Sequence, residues 1–162
     1  PPRTDDFFEA YRFILPGYNV RPLELSGAIG LEQMKKLPGM TERRRENMAV
    51  FHKLMGGDNR FTIQRENGKS SSFCFTIVLN PDCTPPRANV MAALKEADIG
   101  YRIITGGCFT RHDVIKYFDY DTVDDLPNAN LAHDQGFFVG NHPYDLTPQM
   151  ERLREVLDAI CK

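Results

Sequence analysis

Apolar residues recur at helical spacing over the first third of the chain. Leu25, Ala28, Ile29 and the run from Met34 to Leu37 form one stripe, which predicts a helix from Pro22 to about Leu37. Pro22 suits its first turn, where a missing N–H donor leaves nothing unsatisfied. Pro38-Gly39 interrupts the pattern. Thr41 then predicts the cap of a second helix running to about Met55, with Met48, Phe51, His52 and Met55 on one stripe and Gly56-Gly57 as its stop. Next the period shortens to two. Phe61 to Gln64 and Phe73 to Leu79 read as strands on either side of the polar turn Glu66-Asn67-Gly68-Lys69, which predicts a hairpin. Thr84-Pro85-Pro86 opens a helix whose inner face carries Val90, Met91, Leu94 and Ala97. A short buried strand over Gly100 to Ile104 follows, ending at Thr105-Gly106-Gly107. Pro127 to about Asp134 reads as helix and Phe137 to Val139 as strand. Thr147-Pro148 is expected to cap a last helix with Met150, Leu153, Val156, Leu157 and Ile160 turned inward. The order β-β-α-β-loop-α-β-α predicts an α+β fold, a small antiparallel or mixed sheet with helices packed on one face. Residues 1–57 read as a helical segment and 58–162 as an α/β sandwich.

Composition narrows the function classes. At 162 residues, 41% hydrophobic and 26% charged, the chain can bury one sizeable core. Twenty Lys+Arg against 22 Asp+Glu leave a net charge of −2, so no bulk field favours nucleic acid or a membrane surface. Arg43-Arg44-Arg45 fan around a helix between Glu42 and Glu46 and make no single groove-facing stripe. No apolar stretch approaches the roughly 20 residues of a membrane span, and the first residues lack a signal-peptide pattern, so a cytoplasmic location is expected. Cys74, Cys83, Cys108 and Cys161 lack the paired spacing of a zinc site and are expected as reduced thiols, Cys108 as a structural one. His112-Asp113 and His133-Asp134 look superficially like metal-binding pairs, but the further ligand spacings are missing and no metal is expected.

The candidate chemistry begins at Gly17-Tyr18-Asn19-Val20-Arg21. Gly17 permits unusual backbone angles, Asn19 offers an amide, and Arg21 a planar five-donor cation. Ser26, Gly27, Ala28 and Gly30 leave the following helix a bare face onto which another backbone can pack. Arg102 lies on the strand entering Thr105-Gly106-Gly107, where glycines let a ligand approach the backbone. Arg111 and His112 follow and are read as surface residues. Gly140-Asn141-His142-Pro143 leaves the last strand.

The run Gly-Tyr-Asn-x-Arg-Pro-x-Glu-x-Ser-Gly-Ala-Ile-Gly-x-Glu-Gln from Gly17 is followed by Lys35-Lys36-Leu37-Pro38 and Arg43-Arg44-Arg45. Tyr117-Phe118-Asp119-Tyr120, Asn128-Ala129-Asn130 and the stretch Gly136 to His142 continue the series. From about Phe13 to Leu157, this order of motifs resembles the DegT/DnrJ/EryC1/StrS family of vitamin-B6-dependent enzymes that act on nucleotide-linked keto-sugars. Within it, the second set of motifs is most similar to the branch that removes the 3-hydroxyl of a 4-keto-6-deoxyhexose for dideoxysugar and lipopolysaccharide synthesis.

The resemblance implies the small C-terminal domain of a fold-type I enzyme, without the large cofactor-binding domain. The cofactor lysine (a histidine in the dehydratase branch) would lie in that domain, so no catalytic residue is expected in this chain and the piece alone is expected to be inactive. Pyridoxal or pyridoxamine 5'-phosphate is the implied cofactor, a nucleotide-sugar the implied substrate, and a homodimer with a shared site the implied assembly. The resemblance gives Asn19 the cofactor phosphate of the neighbouring subunit. Arg21 either joins that contact or pairs with Glu24 or another domain. Arg102, Thr105, Gly106 and Gly107 fall on the implied substrate loop, with Gly107 where the branch usually carries asparagine. Asn141 and His142 fall beside the implied cleft. Two alternatives remain open: a sugar aminotransferase of the same family, and a standalone non-catalytic binding or dimerisation module.

Overall fold

A computed structural model describes residues 12–18, 23–104 and 106–162. Helices α1 (Glu24–Met34) and α2 (Leu37–Met55) lead into strands β1 (Phe61–Ile63) and β2 (Cys74–Leu79). Helix α3 (Arg87–Glu96), strand β3 (Arg102–Ile103), two 3-10 turns (Phe109–Arg111 and Asp113–Tyr117), helix α4 (Pro127–Gln135), strand β4 (Gly136–Gly140) and helix α5 (Thr147–Ile160) complete the order.

The four strands form one antiparallel sheet in the order β1-β2-β4-β3. β4 therefore lies between β2 and β3, which run the same way and are joined by α3, a split crossover. The alternation of β2 sets the two faces of the sheet, with Phe75, Ile77 and Leu79 buried and the residues between them half-buried. Register extends that choice across the sheet. Ile63 pairs with Ile77, Ile77 with Phe137, and Phe137 with Ile103. Phe61 pairs with Leu79, and Phe75 with Val139, in the flanking rows. Against this face pack Met48, Phe51 and Met55 of α2, Val90, Met91 and Leu94 of α3, and Met150, Leu153 and Leu157 of α5. Phe51 stacks on Phe75 with ring centroids 4.9 Å apart.

Helix boundaries differ from the expected ones where local chemistry allows two solutions. The break between α1 and α2 falls at Lys35-Lys36 rather than at Pro38-Gly39, because Pro38 is accommodated in the first turn of α2. Thr41 therefore lies inside α2 and does not cap it. α5 does begin at Thr147, but its anchor is Asp145, whose Oδ1 accepts from the Thr147 N–H (2.9 Å) and hydroxyl (2.7 Å). The β1–β2 connection is longer than a tight hairpin, spanning 64–73. It is tied by Gln64, whose side-chain oxygen takes the Thr76 N–H at 3.0 Å in place of a backbone carbonyl. The strand expected over Gly100 to Ile104 shortens to two edge residues, with Arg102 exposed. The segment left as loop after Gly107 winds into the two 3-10 turns.

α2 belongs to the same core as the sheet. α1 is different, since none of its residues is buried and Leu25, Ile29, Leu31 and Met34 are all exposed. Among the described residues, no helix is long and apolar enough to cross a membrane.

Candidate functional site

The register of β3 on β4 decides which candidate residues meet. Arg102 lies opposite Phe138, in the middle of β4, so Ile104 and the turn after it lie toward Gly136. Asn141 and His142 leave from the other end, after Gly140. Four residue steps of strand separate those ends, about 13 Å. The glycine turn and the Asn141-His142 corner are therefore two places. Asn19, Arg21 and Thr105 lie outside the described residues.

The glycine turn is built tightly. Gly106 and Gly107 have φ of +69° and +54°, in the left-handed region where a side chain is strained. A Cβ on Gly107 would come within 2.4 Å of His133 Nδ1, so asparagine, which tolerates left-handed backbone, does not fit here either. His133 occupies that space because its Nδ1 accepts the Cys108 N–H at 3.1 Å. Burial holds the His133 pKa below its ordinary value, helped by the nearby Arg111 guanidinium. The Gly107 N–H is engaged by Ile104 O at 2.9 Å. The turn thus presents shape more than free donors from Gly107 and Cys108.

His112 is buried, at 5% exposure, and not the surface residue expected from its position in a polar loop. Its Nδ1 accepts the backbone N–H of Phe13 (3.3 Å) and its Nε2 donates to Gly106 O. The Phe13 ring packs on it edge-on at 5.1 Å, and Arg12 makes a two-pronged ion pair with Asp113 at 2.7 and 3.0 Å. The 12–18 segment, which leads to the Gly17 loop, is in this way fastened to the loop after β3. Arg111 is exposed as expected and pairs with Asp134 at 2.8 Å. Cys108 is buried against Thr110. Nothing in the sequence marked Phe13 or His133 as partners of the glycine turn, because each comes from a different part of the chain, and His112, only six residues after Gly106, was read as a surface residue.

The Asn141 corner is a hub of the fold. Asn141 is 2% exposed and both ends of its amide are occupied. Its Oδ1 accepts from Asn47 Nδ2 (3.1 Å), and its Nδ2 donates to Arg44 O (3.0 Å) and Ser72 O (2.9 Å). Asn47, also 2% exposed, reaches His142 O and Tyr144 O at 3.0 and 2.8 Å and accepts the Leu146 N–H. A polar residue beside the apolar stripe of α2 was the one available signal for Asn47. The structure thus gives the Asn141 side chain a task inside the domain, where a ligand contact had been expected. His142 is exposed, stacks on Tyr144 (5.5 Å, 14°), and borders a groove of about 460 Å³ lined also by Ile99, Gly100, Gly140 and Arg152.

The part of the Gly17 loop that is described stands clear of its own domain. Tyr18 is 96% exposed, and open space surrounds the position of a Cβ on Gly17. Among the described residues, no group of three or more His, Cys, Asp or Glu is placed to hold a metal ion.

Comparison with known proteins gives this geometry a context. The DegT/DnrJ/EryC1/StrS aminotransferase family model matches residues 3–160. A GDP-4-keto-6-deoxy-D-mannose 3-dehydratase of Yersinia pseudotuberculosis is 44% identical over 154 residues, covering 94% of this chain and 39% of that protein. The solved Escherichia coli GDP-4-keto-6-deoxy-D-mannose-3-dehydratase with bound hydrated PLP superposes with a TM-score of 0.80 at 42% identity, over 96% of this chain and 40% of its own. An aminotransferase of Helicobacter pylori, involved in pseudoaminic acid biosynthesis, shares the fold with a TM-score of 0.72 at 16% identity, over 96% of this chain and 44% of its own. The chain spans about two fifths of the length of the curated relatives it matches.

Proposed function

The chain belongs to the DegT/DnrJ/EryC1/StrS aminotransferase family, and on that premise we propose that it is the C-terminal domain of a B6-dependent 3-dehydratase acting on a nucleotide-linked 4-keto-6-deoxyhexose. The observation that carries the choice is the contrast in identity, 44% to a 3-dehydratase against 16% to an aminotransferase of the same fold. PLP in the E. coli relative supports pyridoxal or pyridoxamine phosphate as the cofactor. That group, when bound, supplies an electron sink through which the C3 hydroxyl of a 4-keto sugar can leave.

In this reading the chain binds and orients. The Asn19 amide and the Arg21 guanidinium hold the cofactor phosphate of a neighbouring subunit in a homodimer, on the loop that begins at Gly17 and the exposed Tyr18. Arg102, exposed on the edge strand, takes the charged nucleotide portion of the substrate. Thr105, Gly106 and Gly107 shape the approach beside it, and His142 supplies an exposed imidazole at the far corner. Asn141 acts by holding that corner in place. The four cysteines are free thiols, which suits a reducing compartment such as the cytoplasm.

The test is to incubate the full-length protein with GDP-4-keto-6-deoxymannose, pyridoxal phosphate and glutamate and to identify the product by mass spectrometry and NMR. Loss of the C3 hydroxyl is the expected result. A 4-amino sugar with the C3 hydroxyl intact would overturn the dehydratase reading in favour of an aminotransferase.

A further inference from the structure

His112 touches two segments that the proposed function assigns to different tasks. Through Nδ1 it holds the backbone of Phe13, six residues before Asn19 on the segment that runs into the proposed cofactor loop. Through Nε2 it holds Gly106, in the proposed substrate loop. Around it, the Val114 N–H donates to Phe13 O at 3.0 Å, the Phe13 ring sits 3.3 Å from where a Cβ on Gly106 would lie, and Arg12 pairs with Asp113. His133, its ring centroid 6.1 Å from that of His112, props the same turn through Cys108. Two segments distant in sequence, at Phe13 and at Gly106, are thereby fixed to one imidazole.

The geometry points to His112 as a positioning residue that sets the cofactor loop and the substrate loop in register with each other. This inference rests on the reading above of residues 17–21 and 105–107. A buried imidazole is suited to the task because its two nitrogens lie on opposite edges of a rigid ring, so the segments it joins cannot shift independently. Register of this kind matters because a misplacement of about 1 Å between reacting groups can cost on the order of 100-fold in rate.

The two hydrogen bonds can be separated. His112→Asn keeps an acceptor near the Nδ1 position and loses the bond to Gly106. His112→Gln keeps a donor near the Nε2 position and loses the bond to Phe13. In the full-length protein, His112→Gln is expected to weaken the equilibrium dissociation constant for pyridoxal phosphate about tenfold with the KM for GDP-4-keto-6-deoxymannose unchanged, as for one lost buried hydrogen bond. His112→Asn is expected to do the reverse. Phe51→Leu, a core substitution chosen to lower the melting temperature by a comparable amount, is expected to move neither.

Hydrogen exchange provides a readout independent of catalysis, with the Phe13 amide losing protection in His112→Gln and keeping it in His112→Asn. Equal changes in both constants for both variants, or none, would overturn the positioning role, as would unaltered Phe13 protection in His112→Gln. Asn19→Ala and Arg102→Ala serve as reference variants. If neither shifts its own constant, the loop assignments fail, and the Phe13 exchange pattern still decides whether His112 joins the segments.

Discussion

Replacing Asn141 by alanine separates a residue that holds the fold from one that holds a ligand. The substitution removes three side-chain hydrogen bonds, from Asn47 Nδ2 and to Arg44 O and Ser72 O. At about 1 kcal/mol net for each buried bond, the expected loss is about 3 kcal/mol. For a domain of this size, that corresponds to a fall in melting temperature of roughly 6–12 °C. Circular dichroism melts and urea titration measure it, with the urea slope unchanged if the denatured state is unaffected. Asn47→Ala in a double-mutant cycle adds a sharper criterion. The two residues share one hydrogen bond, so the double variant is expected to be less destabilised than the sum of the singles by about 1 kcal/mol. A melting temperature equal to that of the parent, combined with a raised KM for the nucleotide-sugar, would refute this reasoning and return Asn141 to the ligand.

Gly107→Asn is expected to lower stability by about 1–3 kcal/mol, because the new Cβ meets the His133 ring and the backbone is left-handed. Melting of Gly107→Asn in a His133→Ala background is expected to recover part of that loss. Acid titration is expected to reveal two stages. His133 has a lowered folded pKa, so the unfolded chain takes its proton first and stability declines as pH falls below 6.5; His133→Gln removes this stage from the pH–stability profile. Asp58, bonded to Arg60 (2.6 Å) and Arg154 (2.8 Å), has its pKa held far below the ordinary 3.8, so its contribution is complete above pH 3.8 and is lost below it; Asp58→Asn removes that second stage. Ile29→Ser, on a helix that buries none of its residues, is expected to change unfolding free energy by less than about 0.5 kcal/mol in chemical denaturation of this chain.

The periodicity of the chain was sufficient to locate α2, α3, α4, α5 and the strands β2 and β4 within a few residues. Except for α4, which Pro127 and Gly136 bound without any buried stripe, each carries a repeated apolar pattern, and local sterics and burial then agree. Boundaries failed where one residue type serves two ends. Pro38 ends a helix as readily as it starts one, and only the packing of α2 on the sheet selects the second use. β3 was overestimated because a two-residue edge strand has too few side chains to show a period. The order of short motifs also placed the chain in its family, a property of sequence that needs no coordinates.

The site was legible only in part. Residue types suited to phosphate and sugar could be read along the chain, but not which of them share a surface. That depended on the register of β3 against β4, which sends Gly106 and His142 to opposite ends of one strand. Nor could the sequence tell a ligand-facing asparagine from a buried one, since the same amide serves both and only its surroundings differ. Sequence by itself determined which segments are helix and strand and which family they compose, because those follow from short-range pattern. The tertiary structure alone decided that Asn141 closes on Asn47 and that His112 joins Phe13 to Gly106, because hydrogen bonds across about a hundred residues exist only once the sheet has brought their partners together.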